Sequence, residues 1–422
     1  MKINLNTLGL YLMLLLLILI QVHEEIHKLF VYYREIFGLL FIILLIMHGP
    51  SKIFKSMINK RIFFEILFLI LFPLIIIVTA LVDPMVNLYG ESLGTATRYD
   101  GGGLNPKLYV FRNAVLYLPM VFYFTVRGLS PSDINKIAVV TALFAPFSII
   151  IFLAGISDSS VVADFLKIIN GELMDKYNTF VPCFAISVLS ILYLMDFHYK
   201  KYIFLIKMIL MTILAFILVF IFYSTSRQAL LLALIYISIF AFKNISISKL
   251  MNIIYFAIFC VALYYFYVWI TLNYGGNIRL IAKLADTSMH SSRFLLMREG
   301  LAMLKLSEFF TGAGLTSVMV SGPHNDYIRW VQRIGLIFAF ISFYPYFSVM
   351  FKSFIDTLSY KKDSAYLYIF CASLFIIYNS FFGYPREDAY QSIFCFLGIS
   401  MWLGYHNYRR RKMLWRRTNR IL

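Results

Sequence analysis

The chain has 422 residues, of which 61% are hydrophobic and only 14% are charged, and its mean hydropathy is +0.79. A soluble protein of this length could not bury so much apolar surface, so the composition excludes an ordinary soluble enzyme. The net charge of +17 is concentrated on one side of the predicted membrane topology, which favours contact with anionic lipid and argues against nucleic acid.

Apolar runs separated by short polar breaks make up most of the chain. We predict about 12 transmembrane helices of roughly 20 residues each. The first run resembles a signal peptide, but His23-Glu24-Glu25 follows it in place of a small-residue cleavage site, so we predict an uncleaved span. The predicted spans are 5–22, 30–47, 62–82, 108–126, 134–156, 179–196, 202–222, 228–242, 248–272, 334–351, 364–382 and 389–406.

Charge divides the breaks into two sets. If alternate breaks are assigned to the outside, starting with 23–29, the outside holds 16 Lys+Arg and 16 Asp+Glu. The inside then holds 22 Lys+Arg and 5 Asp+Glu, and this difference equals the whole net charge of +17. The positive-inside rule therefore places both termini in the cytoplasm. We predict one polytopic membrane domain, 1–422, with a large periplasmic loop at 273–333 and a basic cytoplasmic tail at 407–422.

Two absences in the sequence narrow the function. No Asp or Glu lies at the centre of a predicted span, since Glu65 and Asp196 fall near inner ends. Ion-coupled carriers usually need such a carboxylate, so a carrier is disfavoured. The cysteines show no metal-ligand spacing, and we predict neither a metal nor a cofactor. They all lie in apolar runs, at Cys183, Cys260, Cys371 and Cys395.

The first of three polar clusters on the predicted outside is Ser224-Thr225-Ser226-Arg227, between the seventh and eighth spans. A guanidinium flanked by hydroxyls at the edge of the bilayer suits a lipid-linked phosphate, which it binds through fork-shaped hydrogen bonds. An arginine at this position also fits simple snorkelling to the interface. Residue type alone leaves both interpretations open.

The second cluster is Arg293 with Arg298, in the long outer loop. Apolar residues recur at helical spacing over 292–305, which predicts an amphipathic helix lying on the membrane surface. Arg298 and Glu299 also fit an ordinary solvated face. Arg293 precedes the apolar stripe and is the stronger candidate for pointing into a cavity.

The third cluster is 322–327, Gly-Pro-His-Asn-Asp-Tyr. Proline is tolerated at the first helical position, so we predict that Pro323 opens a helix that leads into the tenth span. His324 would then lie in a first turn, where the helix dipole disfavours an imidazolium and leaves a neutral ring that accepts a proton. Arg329 and Arg333 lie four residues apart on the same helix.

In this order the three clusters resemble the O-antigen polymerase and O-antigen ligase superfamily. The resemblance is specific over about 225–340, and the first six spans match in placement alone. The second glycine that usually follows Gly335-Leu336 is replaced here by Phe338. The matching segments are Ser224–Leu231, Ser292–Leu295 leading to Gly312–Gly314, and His324–Tyr327 ending in Ile334–Ile337.

The resemblance implies an integral, metal-independent glycosyltransferase of GT-C-like fold in the bacterial inner membrane. Its donor would be an undecaprenyl-diphosphate-linked oligosaccharide, and a chain-length regulator protein would be a partner. Arg227 and Arg293 would hold the donor diphosphate, and His324 would accept the proton of the attacking hydroxyl. The wider substrate-binding set comprises Ser224, Ser226, Arg227, Arg293, Arg298, Asn325, Asp326, Tyr327 and Arg329.

Three functions compete for this sequence. A polymerase would join lipid-linked repeat units, and we favour it slightly because of the context of His324. A ligase would transfer the finished glycan to lipid A-core, and the motifs do not separate it from the polymerase. A polysaccharide-lipid flippase would need a cationic lumen within the spans, whereas the predicted cations lie at or beyond the membrane edge.

Overall fold

Every regular element among the described residues is a helix, and these residues contain no β-strand. The all-α part of the prediction is therefore confirmed for them. The chain divides into two compact units, Met1–Val140 with Arg293–Leu422, and Thr141–Ser292. The computed structural model describes residues 5–20, 33–49, 61–82, 116–155, 181–197, 204–223, 226–243, 298, 301–302, 304–312, 325–360, 363–383 and 391–418.

Described helices occur in eleven of the twelve predicted spans, and the remaining span, 248–272, lies outside the described residues. A short 3₁₀ helix, Val181–Cys183, precedes α7. The α-helices are α1 Leu5–Leu19, α2 Tyr33–His48, α3 Phe63–Val82, α4 Leu118–Arg127, α5 Pro131–Ala142, α6 Phe144–Gly155, α7 Phe184–Phe197, α8 Phe204–Tyr223, α9 Arg227–Lys243, α10 Leu306–Thr311, α11 Asp326–Ser359, α12 Ser364–Ser380 and α13 Gln391–Thr418.

Helix length and apolarity together give a stricter criterion for a membrane-spanning helix. In the part of the chain that the structure describes, two helical stretches, Pro131–Ile150 and Asp326–Ser359, are long and apolar enough to cross a membrane. Six shorter apolar helices of 10–17 residues accompany them. Helices as apolar as α8 have no polar face to turn toward water, so they need apolar surroundings on more than one side.

Apolar side chains cover the outward faces of these helices as well as the inward ones. From Leu8 to Leu19 of α1, the described buried and exposed side chains are both hydrophobic, so this part of the helix has no polar face. A helix that is apolar all round is either enclosed by other elements or surrounded by lipid. The buried residues include Leu10, Met13 and Leu17, and the exposed ones are Leu8, Tyr11, Leu15 and Ile18.

Ion pairs join α3 to α11 at the end where α3 begins and α11 finishes. Arg61 Nη2 donates a hydrogen bond of 2.6 Å to Asp356 Oδ1. Lys352 Nζ donates to the Arg61 carbonyl at 2.7 Å and also to the buried carboxylate of Glu65, which accepts from Ser348 Oγ as well. Because these contacts join the start of one helix to the end of the other, α3 and α11 run antiparallel.

The same network continues into α13. Trp402 Nε1 donates to Asp356 Oδ2 at 3.3 Å. Asp363 Oδ2 accepts from Tyr405 Oη at 2.6 Å and from Arg409 Nη1 at 2.9 Å. Asp363 also caps α12, so one carboxylate connects the start of α12 to the end of α13. We refer to Arg61, Glu65, Lys352, Asp356, Asp363 and Arg409 as the Asp356 network.

In the second unit, the predicted span 134–156 is interrupted at Leu143, between α5 and α6. Pro146 has no backbone N–H, so the helical hydrogen-bond ladder lacks one donor there. Ser187 Oγ of α7 donates to the Thr141 carbonyl at 2.7 Å and accepts from the Ala145 N–H at 3.0 Å. A hydroxyl from the neighbouring helix thus supplies hydrogen bonds at the break.

A kink at Gly335 divides α11 into a short half-helix, 326–334, and a long half, 336–359. Gly335 has φ 80° and ψ 164°, a backbone conformation that other L-residues rarely adopt. A Cβ placed on Gly335 would lie 2.0 Å from the Phe310 carbonyl oxygen, and one on Gly312 would lie 2.4 Å from the Arg333 carbonyl oxygen. The end of α10 therefore meets the kink backbone to backbone, and neither glycine has room for a side chain.

The helix that contains the predicted tenth span begins before that span. Hydropathy puts this start at 334, whereas α11 begins at Asp326. The polar residues Arg329, Gln332 and Arg333 lower the hydropathy of the first turns, although all three are buried. Gly335 therefore lies inside the helix at a break, and Phe338 beyond it is exposed.

We expect Gly335→Ala to destabilise the protein much more than Gly49→Ala does. Both glycines have positive φ, at 80° and 84°, but no atom lies within 4 Å of a Cβ placed on Gly49. Gly49→Ala should therefore cost only the ~1–2 kcal/mol of a positive φ. Gly335→Ala should add roughly 1–3 kcal/mol of overpacking. Thermal unfolding of the two purified variants measures the difference, and equal losses would contradict the close backbone contact.

Candidate functional site at the start of α11

Asn325 is the N-cap of α11. Its backbone is extended, with φ −144° and ψ 116°, and its Oδ1 accepts a hydrogen bond of 3.1 Å from the Ile328 N–H. Asparagine is among the preferred residues at this position because its side chain satisfies a free N–H of the first turn. The Gly-Pro pair predicts that the helix begins at Pro323, but α11 begins at Asp326. Pro323 and His324 lie outside the described residues.

Asn325 and Asp326 are both buried against the end of α12. Asn325 Nδ2 donates to the Phe381 carbonyl at 3.4 Å, and Ser380 Oγ donates to Asp326 Oδ2 at 3.4 Å. The Phe381 carbonyl lies just beyond the last residue of α12, where helical partners run out. The contacts therefore satisfy polar groups of both helices at one point.

Tyr327 attaches the same turn through its ring and its hydroxyl. Tyr327 Oη donates to the Ile377 carbonyl at 2.8 Å. The ring centroid lies 4.4 Å from that of Phe343, 4.8 Å from Phe381 and 5.9 Å from Phe347. We call 325–327 with its partners on 377–381 the α11 anchor. Its three residues, which we predicted to bind substrate, make intramolecular contacts that position the chain directly after His324.

Two buried arginines follow on the half-helix. Arg329 is 8% exposed and Arg333 is 2% exposed, and the Arg333 guanidinium lies 5.5 Å from the ring centroid of Trp330. Trp330 packs in turn against Phe72 of α3, with ring centroids 5.2 Å apart. A cation in apolar surroundings is costly unless an anion, dipoles or an aromatic face compensates it. For Arg333, the aromatic face of Trp330 is one such compensating group.

Arg333 is the residue that sequence analysis left out of the site. Its spacing of four residues from Arg329 was visible, but it fell just before the predicted tenth span, where a cation looks like a membrane-edge residue. Its burial and its contact with Trp330 depend on the packing of α3 and α11, which no local pattern indicates. Arg333 lies at the C-terminal end of the half-helix, so its guanidinium, and not the helix dipole, is the group that suits an oxyanion such as a phosphate.

The Ser224–Arg227 cluster lies in the second unit, and the structure describes part of it. Ser226 is buried, and its Oγ accepts from the Ala229 N–H at 3.4 Å in the manner of an N-cap. Arg227 is the first residue of α9, and its side chain lies outside what the structure describes, as does Ser224. The described position of Arg227 is thus a helix N-terminus, which favours an anion.

The predicted surface helix at 292–305 lies mostly outside the described residues. Of its cations, Arg298 is helical and exposed, and Arg293 is among the residues not described. The next element, α10, begins with a capping interaction in which Glu308 Oε2 accepts from the Lys305 N–H at 2.9 Å. Within the described ranges, no three His, Cys, Asp or Glu side chains converge as a metal site would need.

Comparison with other proteins adds no relative to these observations. The chain matches no known family profile and no curated protein. The resemblance to the O-antigen polymerase and ligase superfamily therefore depends on the motif residues alone.

The two roles of Asn325 are separable by substitution. Asn325→Ser keeps an N-cap oxygen for Ile328 but removes the amide donor to Phe381, whereas Asn325→Ala removes both. We expect losses in the free energy of unfolding of about 1 kcal/mol for Ser and about 2 kcal/mol for Ala. Denaturant titration of both variants checks this order. Equal stability of the wild type and Asn325→Ser would contradict the bond to α12.

Proposed function

We propose that this chain is an integral membrane glycosyltransferase that joins lipid-diphosphate-linked oligosaccharide units, as an O-antigen polymerase does. It would act at the periplasmic face of the bacterial inner membrane, with about 12 spans and both termini in the cytoplasm. The observation that supports this best is the half-helix of α11, which begins two residues after His324 in the sequence and carries the buried Arg329 and Arg333. Buried cations on a helix that follows a candidate base suit a reaction that releases a diphosphate.

Exposed apolar side chains support the membrane part of the proposal. Beyond the kink, α11 exposes phenylalanine and aliphatic side chains along its whole length. Contiguous apolar surface of this kind marks contact with lipid or with another protein. Such side chains on an α11 that passes through a bilayer would lie in hydrocarbon. The most exposed are Ile337, Phe340, Phe351 and Leu358.

Ion pairing supports the proposed orientation. Five acids are assigned to the inside by the charge rule, and four of them pair with cations assigned to the same side. Alternating spans would bring these segments together at one membrane face, where partly hydrated ion pairs are tolerated. The pairs are Arg61–Asp356, Arg127–Asp133, Lys352–Glu65 and Arg409–Asp363.

The proposed chemistry is a direct displacement. The hydroxyl oxygen of the acceptor sugar forms a bond to the anomeric carbon of the donor, and the bond from that carbon to the diphosphate oxygen breaks. His324 accepts the hydroxyl proton, because a neutral imidazole is an effective base near neutral pH. Undecaprenyl diphosphate leaves with the bonding electron pair. A single displacement of this kind inverts the anomeric carbon.

Cationic side chains stabilise the leaving group in this proposal. Negative charge grows on the diphosphate as its bond to the sugar breaks, and fixed cations lower the energy of that state. The superfamily resemblance assigns the diphosphate to Arg227 and Arg293. Within the first unit, the burial of Arg329 and Arg333 makes both further candidates for this role, since the half-helix that carries them follows His324 in the sequence.

The proposal predicts the effect of His324→Ala on surface glycan in the host. Loss of a general base typically lowers the rate 10²–10⁴-fold, so we expect core bearing a single repeat unit and no ladder on a lipopolysaccharide gel. Arg333→Gln should shorten or abolish the ladder, while Lys305→Gln, which alters an exposed cation of α10, should leave it unchanged.

Gene deletion distinguishes the polymerase proposal from the ligase alternative. A single repeat unit on the core means polymerase. Bare core with polymer held on the lipid carrier means ligase, and this result would replace the polymerase proposal while retaining the superfamily. A full ladder from the deletion strain, together with normal capsule and exopolysaccharide, would overturn the proposal.

A further inference from the structure

We propose that the end of α13, residues 408–418, is an interfacial helix that binds the head groups of anionic phospholipids in the inner leaflet. The inference depends on the membrane orientation proposed above, and it does not depend on the transfer chemistry. It concerns a surface at the Asp356 network end of the first unit, far along α13 from its start at Gln391.

α13 changes its surroundings along its 28 residues. Positions 391–407 are buried, Tyr408 and Arg409 are half-buried, and positions 410–415 are all exposed. The helix therefore continues beyond the packed part of its unit without a break. Its last turns are held out as a projecting helical surface.

Two arginines attach the beginning of this projection to the protein. Arg409 Nη1 donates to Asp363 at 2.9 Å, and its guanidinium lies 4.9 Å from the ring centroid of Tyr360. Arg411 donates to the carbonyls of Val126 and Arg127, the last residues of α4. A helix C-terminus carries partial negative charge, which accounts for the position of Arg411. Arg409 and Arg411 are thus structural contacts.

Arg410 and Lys412, on either side of Arg411, have exposed side chains that make no hydrogen bond or ion pair with the residues that the structure describes. Two acids whose partners contact this part of α13, Asp363 and Asp133, already pair with Arg409 and Arg127. The tail 407–422 contains seven Lys+Arg and no Asp or Glu. The projecting helix therefore presents uncompensated positive charge, and an anionic partner is complementary to it.

Apolar residues beside these cations favour lipid over a soluble polyanion. Met413, Leu414 and Trp415 follow Lys412 directly, and Trp415 is 65% exposed. Tryptophan concentrates at the boundary between head groups and acyl chains, and cations on a helix at that boundary contact lipid phosphates. A nucleic acid would complement the charge but would leave the three apolar side chains in water.

Lipid binding to the full-length protein tests the inference. The protein in an uncharged detergent is titrated with phosphatidylglycerol or with phosphatidylcholine, and bound lipid is measured by native mass spectrometry. We expect Arg410→Gln/Lys412→Gln to bind phosphatidylglycerol about tenfold more weakly than the wild type, because each cation near an anionic surface strengthens binding several-fold. Phosphatidylcholine binding should not change. Raising the salt concentration should reduce the difference between the two lipids.

Control variants distinguish the loss of this lipid contact from a general effect of charge or from a loss of stability. Lys305→Gln removes one exposed cation of α10 and should bind phosphatidylglycerol like the wild type. Trp415→Ala should weaken the binding of both lipids, since the ring is the apolar part of the surface. The thermal midpoint without lipid should be the same for wild type and Arg410→Gln/Lys412→Gln, because both side chains are exposed.

Three results would separate the possibilities. Unchanged phosphatidylglycerol affinity in Arg410→Gln/Lys412→Gln would overturn the inference. Binding of a short single-stranded RNA that depends on Arg410 and Lys412, without binding of phosphatidylglycerol, would overturn it in favour of a soluble polyanion. His324→Ala should bind phosphatidylglycerol normally. Failure of the transferase proposal would therefore not contradict lipid binding by α13, and failure of lipid binding would not contradict the transferase proposal.

Discussion

Desolvation of charge is the constraint on which the described architecture depends. An isolated ion in an apolar interior costs several kcal/mol even after relaxation, so a bundle of apolar helices holds charges only where a neighbour compensates them. Glu65 is fully buried and lies against Lys352, and Asp356 is buried and bonds to Arg61 and Trp402. These pairs require α3, α11 and α13 to meet with their polar ends at one level, so the register of the helices follows from their charges.

The kink at Gly335 fixes the position of the half-helix that carries the candidate site residues. Before the kink, the half-helix is fixed by the α11 anchor at one end and by Gly312 at the other. The chain from 313 to 324, which includes His324, therefore leaves from one fixed point and arrives at another. A straight α11 would lack the backbone contact with α10, and its first turns would not be tied to the preceding segment.

Local patterns in the sequence indicate helices better than they indicate breaks. Apolar runs longer than one helical turn predict α1–α9 and α11–α13, because burial in any apolar medium imposes the same composition. The break at Leu143 has a local signal, Pro146, but the hydrogen bonds from Ser187 that stabilise it come from another helix. Gly335 belongs to a motif in the sequence, but its positive φ and its close approach to the Phe310 carbonyl are tertiary features that no local pattern indicates.

The candidate site shows the same division between local and tertiary information. Asn325, Asp326 and Tyr327 stand out by residue type, and that signal does not distinguish a ligand contact from a contact with α12. Arg333 stands out only after burial is known. A buried arginine and an exposed arginine cannot be distinguished in the sequence. Hydropathy averages each residue with its neighbours and carries no information on burial.

The proposed reaction needs both a proton acceptor and positive charge for its leaving group. The proposal gives the first role to His324, because a neutral imidazole accepts a proton near neutral pH. It gives the second role to arginines, which would stabilise the diphosphate as it acquires charge. A metal ion would supply the same stabilisation through a bound divalent charge, whereas buried arginines such as Arg333 would supply it through fixed, forked donors.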